Sequence, residues 1–233
     1  TYADRKDINR LIQPPTVIEA PNRQRRTPAP SEGSDRRGFR NEPLSDFSRR
    51  ENRERFGETL QKVREQFIGH ADQRNDGQTL ESLNPANPAE MVGRVRIATS
   101  SDVESAIETA ARFFPRWRAE GASERARFLF AAADKMRQRR WELAAWEVFE
   151  VGKSWREADA DVAEAIDYLE YYGRQILHLA LPRETQRLQS ESNVYLYEPR
   201  GLAAIIAPWN FPLAILTGMT AAALVAGNCT LVK

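Results

Sequence analysis

Length, composition and charge limit what this protein can be. The chain has 233 residues, of which 41% are hydrophobic and 29% are charged, as is ordinary for a globular protein. Its 34 basic and 33 acidic residues leave a net charge of +1, so no overall field favours nucleic acid or a membrane surface. We therefore predict neither partner, and no metal site.

The cysteine content and the apolar stretches indicate a compartment. A single cysteine, Cys229, cannot form an internal disulfide, which favours a reducing environment. The chain shows no secretory leader, and its longest apolar stretch, residues 213–225, is too short to span a bilayer. We predict a cytoplasmic protein. Because the sequence opens on Thr1 and ends within an apparent strand at Lys233, we also expect it to be a fragment of a longer protein.

The first 44 residues differ in composition from the rest. They contain six prolines, many arginines and serines, and few aliphatic residues, so they bury too little apolar surface to offset the entropy of ordering. We predict a flexible Pro/Arg-rich linker over residues 1–44 and a folded domain over residues 45–233. The basic cluster at 23–26 is either a solvated part of this linker or a contact for an acidic partner.

Helical patterns dominate the first part of the folded domain. Residues 46–67 place Phe47, Leu60, Val63 and Phe67 on one face, and short strands are predicted around 79–82 and 93–97 between turns. Three further helices are expected, over about 101–117, 123–151 and 154–181. Ser101 with Glu104 is predicted to form the capping box of the first.

The pattern changes to an α/β type after residue 190. A strand leading into a turn is predicted over 194–201, and the apolar run 202–206 is typical of a strand buried on both faces. A loop at 208–212, a helix at 213–226 and a strand at 229–232 complete a β-α-β unit. The fold class is therefore α/β, with a helical amino-terminal part leading into the first β-α-β unit of a Rossmann-like parallel sheet.

Two positions lie where such sheets bind ligands, beyond the carboxyl ends of the strands. Asn210 stands on a loop flanked by prolines, where its amide either donates a hydrogen bond to a developing oxyanion or caps the next helix. Lys233 ends the second strand, where it either reaches a ribose hydroxyl or phosphate or remains a solvated lysine.

Specific motifs in this region resemble the aldehyde dehydrogenase family. They are E-P-R-G at 198–201, A-P-W-N-F-P at 207–212, A-G-N at 226–228 and L-V-K at 231–233. The likeness covers roughly residues 78–233. Residues 157–168 and 39–47 resemble the L-glutamate γ-semialdehyde (1-pyrroline-5-carboxylate) dehydrogenase branch, including enzymes in which this domain follows a proline dehydrogenase domain.

The resemblance implies roles for particular residues. Asn210 is expected to be the catalytic oxyanion donor, and Glu164 and Phe211 to lie close to the substrate; a surface or helix-packing role for Glu164 is the alternative. The residues expected to bind the cofactor are Ile206, Ala207, Pro208, Trp209 and Lys233, with Lys233 on the adenosine ribose. The cofactor is expected to be NAD, with NADP as the alternative. The full-length enzyme is expected to be a homo-oligomer that oxidises L-glutamate γ-semialdehyde to L-glutamate.

The family's other catalytic parts are not found in this sequence. Its nucleophilic cysteine, general-base glutamate and glycine-rich cofactor turn lie beyond the position of Lys233, and Cys229 has the pattern of a buried core residue. We therefore expect the chain alone to be inactive. Three alternatives remain open: a dehydrogenase for another aldehyde, a non-catalytic interaction protein, and binding of RNA or an acidic partner by the tail.

Overall fold

The computed structural model describes residues 38–67, 78–188 and 191–233. Phe39–Lys233 form one compact unit, and most of the predicted linker lies outside the described residues. The helices are α1 (Arg50–Gln66), α2 (Ser100–Ala119), α3 (Ala122–Gln138), α4 (Arg140–Val151), α5 (Trp155–Leu179) and α6 (Ala214–Val225). The strands are β1 (Thr79–Asn84), β2 (Asn87–Arg96), β3 (Arg183–Leu188), β4 (Glu191–Tyr195), β5 (Leu202–Ile205) and β6 (Cys229–Val232). No helix in the described ranges is both long and apolar enough to cross a membrane.

Helix α5 is the centre of the core and confirms the strongest prediction made from periodicity. It packs against α3, α4 and α6, and Val162 and Ile166 are among its fully buried side chains. Ser154 caps its amino terminus in a reciprocal capping box with Glu157. The 3.6-residue apolar period therefore predicted the buried face of this helix correctly, and Ser154 predicted its start.

Two helix predictions were wrong in detail. The capping box of α2 consists of Thr99 and Asp102, not of Ser101 and Glu104. Arg96 donates two hydrogen bonds to the carboxylate of Asp102 and, with Thr99, lowers the pKa of that carboxyl. The helix expected over 123–151 is instead two helices, because the backbone leaves helical geometry at Arg139. No glycine or proline marks that break in the sequence.

The segment before β5 forms a hairpin that the sequence pattern did not predict. Strands β3 and β4 pair antiparallel, with Arg183 opposite Tyr195 and Leu188 opposite Glu191. The predicted strand 194–201 therefore begins earlier and ends at Tyr195. Most described side chains of this hairpin are exposed, so neither face needed the apolar alternation by which a half-buried strand is recognised.

Strands β5 and β6 pair in parallel around α6 and confirm the predicted β-α-β unit. Their register runs from Leu202 opposite Cys229 to Ile205 opposite Val232. Burial of β5 on both faces was wrong, because Leu202 is 36% exposed while Ile205 is buried. Exposed side chains (Leu202, Ala204) alternate along β5 with covered ones (Ala203, Ile205), so one face of the strand is covered within the described part of the chain.

Candidate functional site

The loop from β5 to α6 is held at its far end by a carboxylate from α5. The backbone N–H groups of Leu213 and Ala214 both donate to Oδ2 of Asp161, at 3.2 Å each. These are the first, otherwise unpaired, amides of α6, and Asp161 takes the place of a side-chain cap from the loop itself. The alternative in which Asn210 caps this helix is therefore wrong.

Four of the predicted site residues line one cavity of about 380 Å³: Glu164, Trp209, Asn210 and Phe211. The side chain of Asn210 makes no hydrogen bond within residues 38–67, 78–188 and 191–233, so its amide is available to a ligand. The cavity lies between the loop and the amino-terminal half of α5.

Glu164 is oriented toward this cavity by contacts along α5. Its Oε1 accepts a hydrogen bond from the hydroxyl of Tyr168 at 3.2 Å. The Tyr168 ring lies against Gly218, where an added Cβ would come within 3.0 Å of the ring. Burial, and then the charge of Glu164, raise the pKa of Tyr168, so the phenol stays a donor. A close crossing of α5 and α6 thus holds the Glu164 carboxylate in place.

A buried ion cluster beside the cavity was not predicted. The ammonium group of Lys153 lies 3.2 Å from Oε2 of Glu147 and 3.0 Å from Oδ1 of Asp161, and all three side chains are at most 11% exposed. The same nitrogen lies 4.9 Å from the centroid of the Phe211 ring. Burial, and then the nearby charge of Asp161, raise the pKa of Glu147 to about 8.

Local backbone geometry explains why a lysine lies there. Gly152 ends α4 with a φ of 72°, a left-handed conformation that glycine adopts without strain. Lys153 follows in the short turn before Ser154 begins α5, so its side chain returns toward the core. The one available signal was composition: Lys153 is one of five lysines in a chain whose basic residues are mostly arginine.

Apart from Trp209, which also lines the cavity, the predicted cofactor residues form a separate group at the carboxyl ends of the parallel strands. The backbone N–H of Lys233 donates to the carbonyl of Ile205 at 3.0 Å and extends the ladder by one residue. Ile206 and Trp209 are 63% and 80% exposed. The cavity beside Asn210 does not include Ile206, Ala207, Pro208 or Lys233.

Cys229 lies in the core at the start of β6 and is 7% exposed. Burial raises the pKa of its thiol, and a thiol without a nearby cation stays protonated and unreactive at neutral pH. These observations support the prediction that Cys229 is a core residue and not a nucleophile.

The structure thus defines an α/β protein with a polar loop and an adjacent cavity at the carboxyl end of a parallel strand pair. The sequence profile of the aldehyde dehydrogenase family matches residues 72–233. The chain belongs to the aldehyde dehydrogenase family.

Named relatives point to one branch. The chain is 44% identical over 202 residues to the 1-pyrroline-5-carboxylate dehydrogenase of Geobacillus kaustophilus, and 41% identical over 201 residues to 1-pyrroline-5-carboxylate dehydrogenase 2 of Bacillus subtilis. Each alignment covers 84% of this chain and 39% of the relative. The chain therefore spans 39% of the length of these relatives.

Solved structures agree with the predicted fold class. The 1-pyrroline-5-carboxylate dehydrogenase from Thermus with bound NAD is similar with a TM-score of 0.79 and 41% identity, covering 84% of this chain and 39% of that one. Proline utilization A from Bdellovibrio bacteriovorus has a TM-score of 0.80 and 37% identity, covering 84% of this chain and 21% of that one. The chain is thus similar both to a separate 1-pyrroline-5-carboxylate dehydrogenase and to a longer proline utilization A protein. The sequence motifs resemble the same two kinds of protein.

Proposed function

We propose that this chain supplies the oxyanion donor and part of the cofactor surface of an NAD-dependent dehydrogenase that oxidises L-glutamate γ-semialdehyde to L-glutamate in proline breakdown. The observation that carries the proposal is the placement of Asn210. Its free amide lies on a loop anchored at one end by β5 and at the other by Asp161, beside a cavity.

The proposed chemistry of Asn210 follows from this placement. When a thiolate adds to the aldehyde carbon, the carbonyl oxygen becomes an oxyanion and needs hydrogen-bond donors that are already in position. The Nδ2–H of Asn210 is such a donor, and the loop holding it does not have to reorganise as charge develops. In this proposal the attacking thiolate comes from another segment of the complete enzyme. That segment corresponds to a part of the relatives that this chain does not match.

The cofactor residues fit a nicotinamide dinucleotide in chemical type. The exposed side chains of Ile206 and Trp209 offer an apolar face at the strand ends, and the ammonium of Lys233 suits a ribose hydroxyl or a phosphate. NAD supplies the hydride acceptor when it is bound. NADP is the alternative cofactor. Measuring the KM for NAD and the KM for NADP in the same active enzyme decides between them.

The substrate end of the proposed site is the cavity lined by Glu164 and Phe211. The Phe211 ring gives an apolar wall for the methylene groups of a short aldehyde, and the Glu164 carboxylate gives an acceptor for a polar group on it. A dehydrogenase for another aldehyde shares all of this geometry, so the substrate is settled by the kinetic comparison described below.

The test grafts residues 39–233 of this chain in place of the matching segment of the Geobacillus kaustophilus relative. We expect the purified chimera to reduce NAD with L-glutamate γ-semialdehyde and to prefer it at least about tenfold in kcat/KM over propanal. Asn210→Ala is expected to lower kcat by about 100-fold. Asn52→Ala, which removes one exposed hydrogen bond of α1, is the matched control and should leave kcat unchanged.

Each outcome of this test has a meaning. A chimera that melts cooperatively but reduces no NAD would overturn the proposed function, as would full activity in Asn210→Ala. A preference for other aldehydes would keep the dehydrogenase and replace the substrate. The 233-residue chain alone, assayed in parallel, is expected to show no turnover.

We also propose that the complete enzyme is a homo-oligomer in the cytoplasm. Val194, Tyr195, Leu196 and Tyr197 form an exposed apolar segment at and after β4, each at least 47% exposed. Contiguous exposed apolar side chains on a hairpin are typical of a contact between subunits. Light scattering of the chimera tests this proposal, and a monomer would contradict it.

A further inference from the structure

The ion cluster of Glu147, Lys153 and Asp161 touches the candidate loop at two points. Asp161 accepts the amides of Leu213 and Ala214 through Oδ2, while its Oδ1 lies 3.0 Å from the Lys153 ammonium. Lys153 in turn lies 4.9 Å from the centroid of the Phe211 ring. The two contacts bracket the residues immediately after Asn210.

We propose that this cluster is a positioning device for the loop, in which Asp161 fixes the loop's end and Lys153 fixes the ring of Phe211 against the cavity. The inference rests on the proposed function for its catalytic consequence but not for its structural content. Lys153 and Asp161 are positioning residues that act through Phe211 and the loop backbone.

The geometry favours positioning over a simple contribution to the core. A lysine that only stabilised the fold would need contacts in the core alone, yet the ammonium of Lys153 lies against Glu147 and Asp161 and also against a ring that faces the cavity. Lys153, Asp161 and Phe211 all line the same cavity as Asn210. A cation over an aromatic face restrains the ring, because the attraction declines as the ring turns edge-on.

The charges around the cavity also show which acidic side chains pair with Lys153. Three acidic side chains line the cavity with Lys153: Glu157, Asp161 and Glu164. Glu157 is held by Ser154 in the capping box and Glu164 by Tyr168, which leaves Glu147 and Asp161 for Lys153. Removing the ammonium therefore leaves Asp161 without its cation, and its carboxylate is then free to turn away from the amides of α6.

The first experiment needs no catalytic activity. Hydrogen exchange is measured by NMR on the 233-residue chain, comparing the native sequence with Lys153→Met. We expect the amides of Leu213 and Ala214 to exchange at least about tenfold faster in the variant, relative to amides in the middle of α3. Lys135→Met replaces an exposed lysine of α3 and should leave the loop amides unchanged.

A second variant keeps the test decisive if Lys153→Met does not fold. The double variant Lys153→Met with Glu147→Gln removes the buried ammonium and replaces its protonated neighbour, whose pKa is raised to about 8, with an uncharged amide of the same size. This double variant should fold while still loosening the loop. Unchanged exchange at Leu213 and Ala214 in a folded variant would overturn the proposal. So would an equal acceleration of the α3 amides, because that result means a global loss of stability.

The second experiment measures the catalytic consequence in the active chimera. Lys153→Met is expected to raise the KM for the aldehyde about fivefold and to lower kcat by a smaller factor. Lys153→Arg, which keeps a cation over the ring, should have a KM close to the native value. In a Phe211→Leu background, Lys153→Met should raise the KM less than it does in the native background, because the ring contact is gone and only the contact through Asp161 remains. Additive effects in the two backgrounds would overturn the assignment.

If the native chimera is inactive, the proposed function fails while the exchange experiment still decides the positioning role.

Discussion

The guanidinium of Arg140 and the carboxylate of Asp159 form a bidentate ion pair in the core, with nitrogen–oxygen distances of 2.7 and 2.8 Å. The same carboxylate accepts hydrogen bonds from the backbone N–H and the hydroxyl of Ser45 at 2.7 and 2.8 Å. Arg140 also donates to the carbonyl of Pro43 at 2.8 Å. One buried pair therefore joins α4, α5 and the segment that leads into α1.

Replacing Asp159 should be strongly destabilising. Asp159→Asn leaves the Arg140 guanidinium, in a site that is about nine-tenths buried, with only the more distant carboxylate of Glu42, 3.6 Å away. Breaking a buried pair typically costs about 3–5 kcal/mol, and the remaining Glu42 contact places the expected cost at the lower end of that range. We expect that loss in the free energy of unfolding, measured by urea titration of the chain. Asp134→Asn breaks an exposed pair with Arg137 and should cost less than about 1 kcal/mol. Similar losses for the two variants would contradict the expectation.

Asn228 links the start of β5 to the end of α6. Its Oδ1 accepts the N–H groups of Arg200 and Gly201 at 2.7 and 3.0 Å, and its Nδ2 donates to the carbonyl of Ala223 at 3.2 Å. Asn228→Ala should lower the free energy of unfolding by about 1–2 kcal/mol, because the N–H groups of Arg200 and Gly201 lose their acceptor, whereas the carbonyl of Ala223 keeps the backbone N–H at position 228. Asn52→Ala removes one exposed hydrogen bond and is the control in the same urea titration. A loss below about 0.5 kcal/mol for Asn228→Ala would be inconsistent with this linking role.

The raised pKa of Glu147 predicts a fall in stability with rising pH. Burial, and then Asp161, raise this pKa from 4.5 to about 8, with Lys153 opposing the shift. Between these two values the folded state keeps a proton that the unfolded chain releases, so the free energy of unfolding declines as pH rises through the window. Since one unit of pKa corresponds to about 1.4 kcal/mol, the decline is at most about 5 kcal/mol.

Glu147→Gln isolates this contribution from that of other titrating groups. Glutamine has the size of protonated glutamate and does not titrate, so its variant should lose less stability between about pH 5 and pH 8. Urea titrations of both proteins across that range give the difference. Parallel curves for the two proteins would show that Glu147 has an ordinary pKa.

Sequence patterns located those features that depend on local periodicity. The cap at Ser154, the buried face around Ile166 and the β-α-β unit all follow from the order of apolar residues and helix signals. The break at Arg139 does not, because tertiary packing sets it and no breaker residue marks it. The β3–β4 hairpin was missed since neither of its faces is buried enough to require alternation.

The candidate site likewise contains residues that local sequence patterns predicted and residues that tertiary packing alone brings together. Asn210 and Lys233 were predicted as candidates because their loop and strand end are adjacent in sequence to recognisable motifs. Lys153 and Asp161 were missed because their role arises from a crossing of helices, in which residues 52 positions or more apart meet at the start of α6. Apolar periodicity does not reveal that a cluster of charged residues on neighbouring turns meets a loop more than 50 positions further along the chain.

Lys233 offers a test of the proposed cofactor surface. Its side chain is exposed at the end of β6, where the parallel ladder places it beside Ile205, so replacing it should not affect folding. In the active chimera, Lys233→Met should raise the KM for NAD about tenfold and leave kcat within about twofold, because an ammonium on the ribose contributes equally to ground-state and transition-state binding. Lys62→Met, which replaces an exposed lysine of α1, is the matched control and should change neither constant. An unchanged KM for NAD in Lys233→Met would favour the solvated-lysine alternative, because an ammonium that contacts the cofactor cannot be removed without weakening its binding.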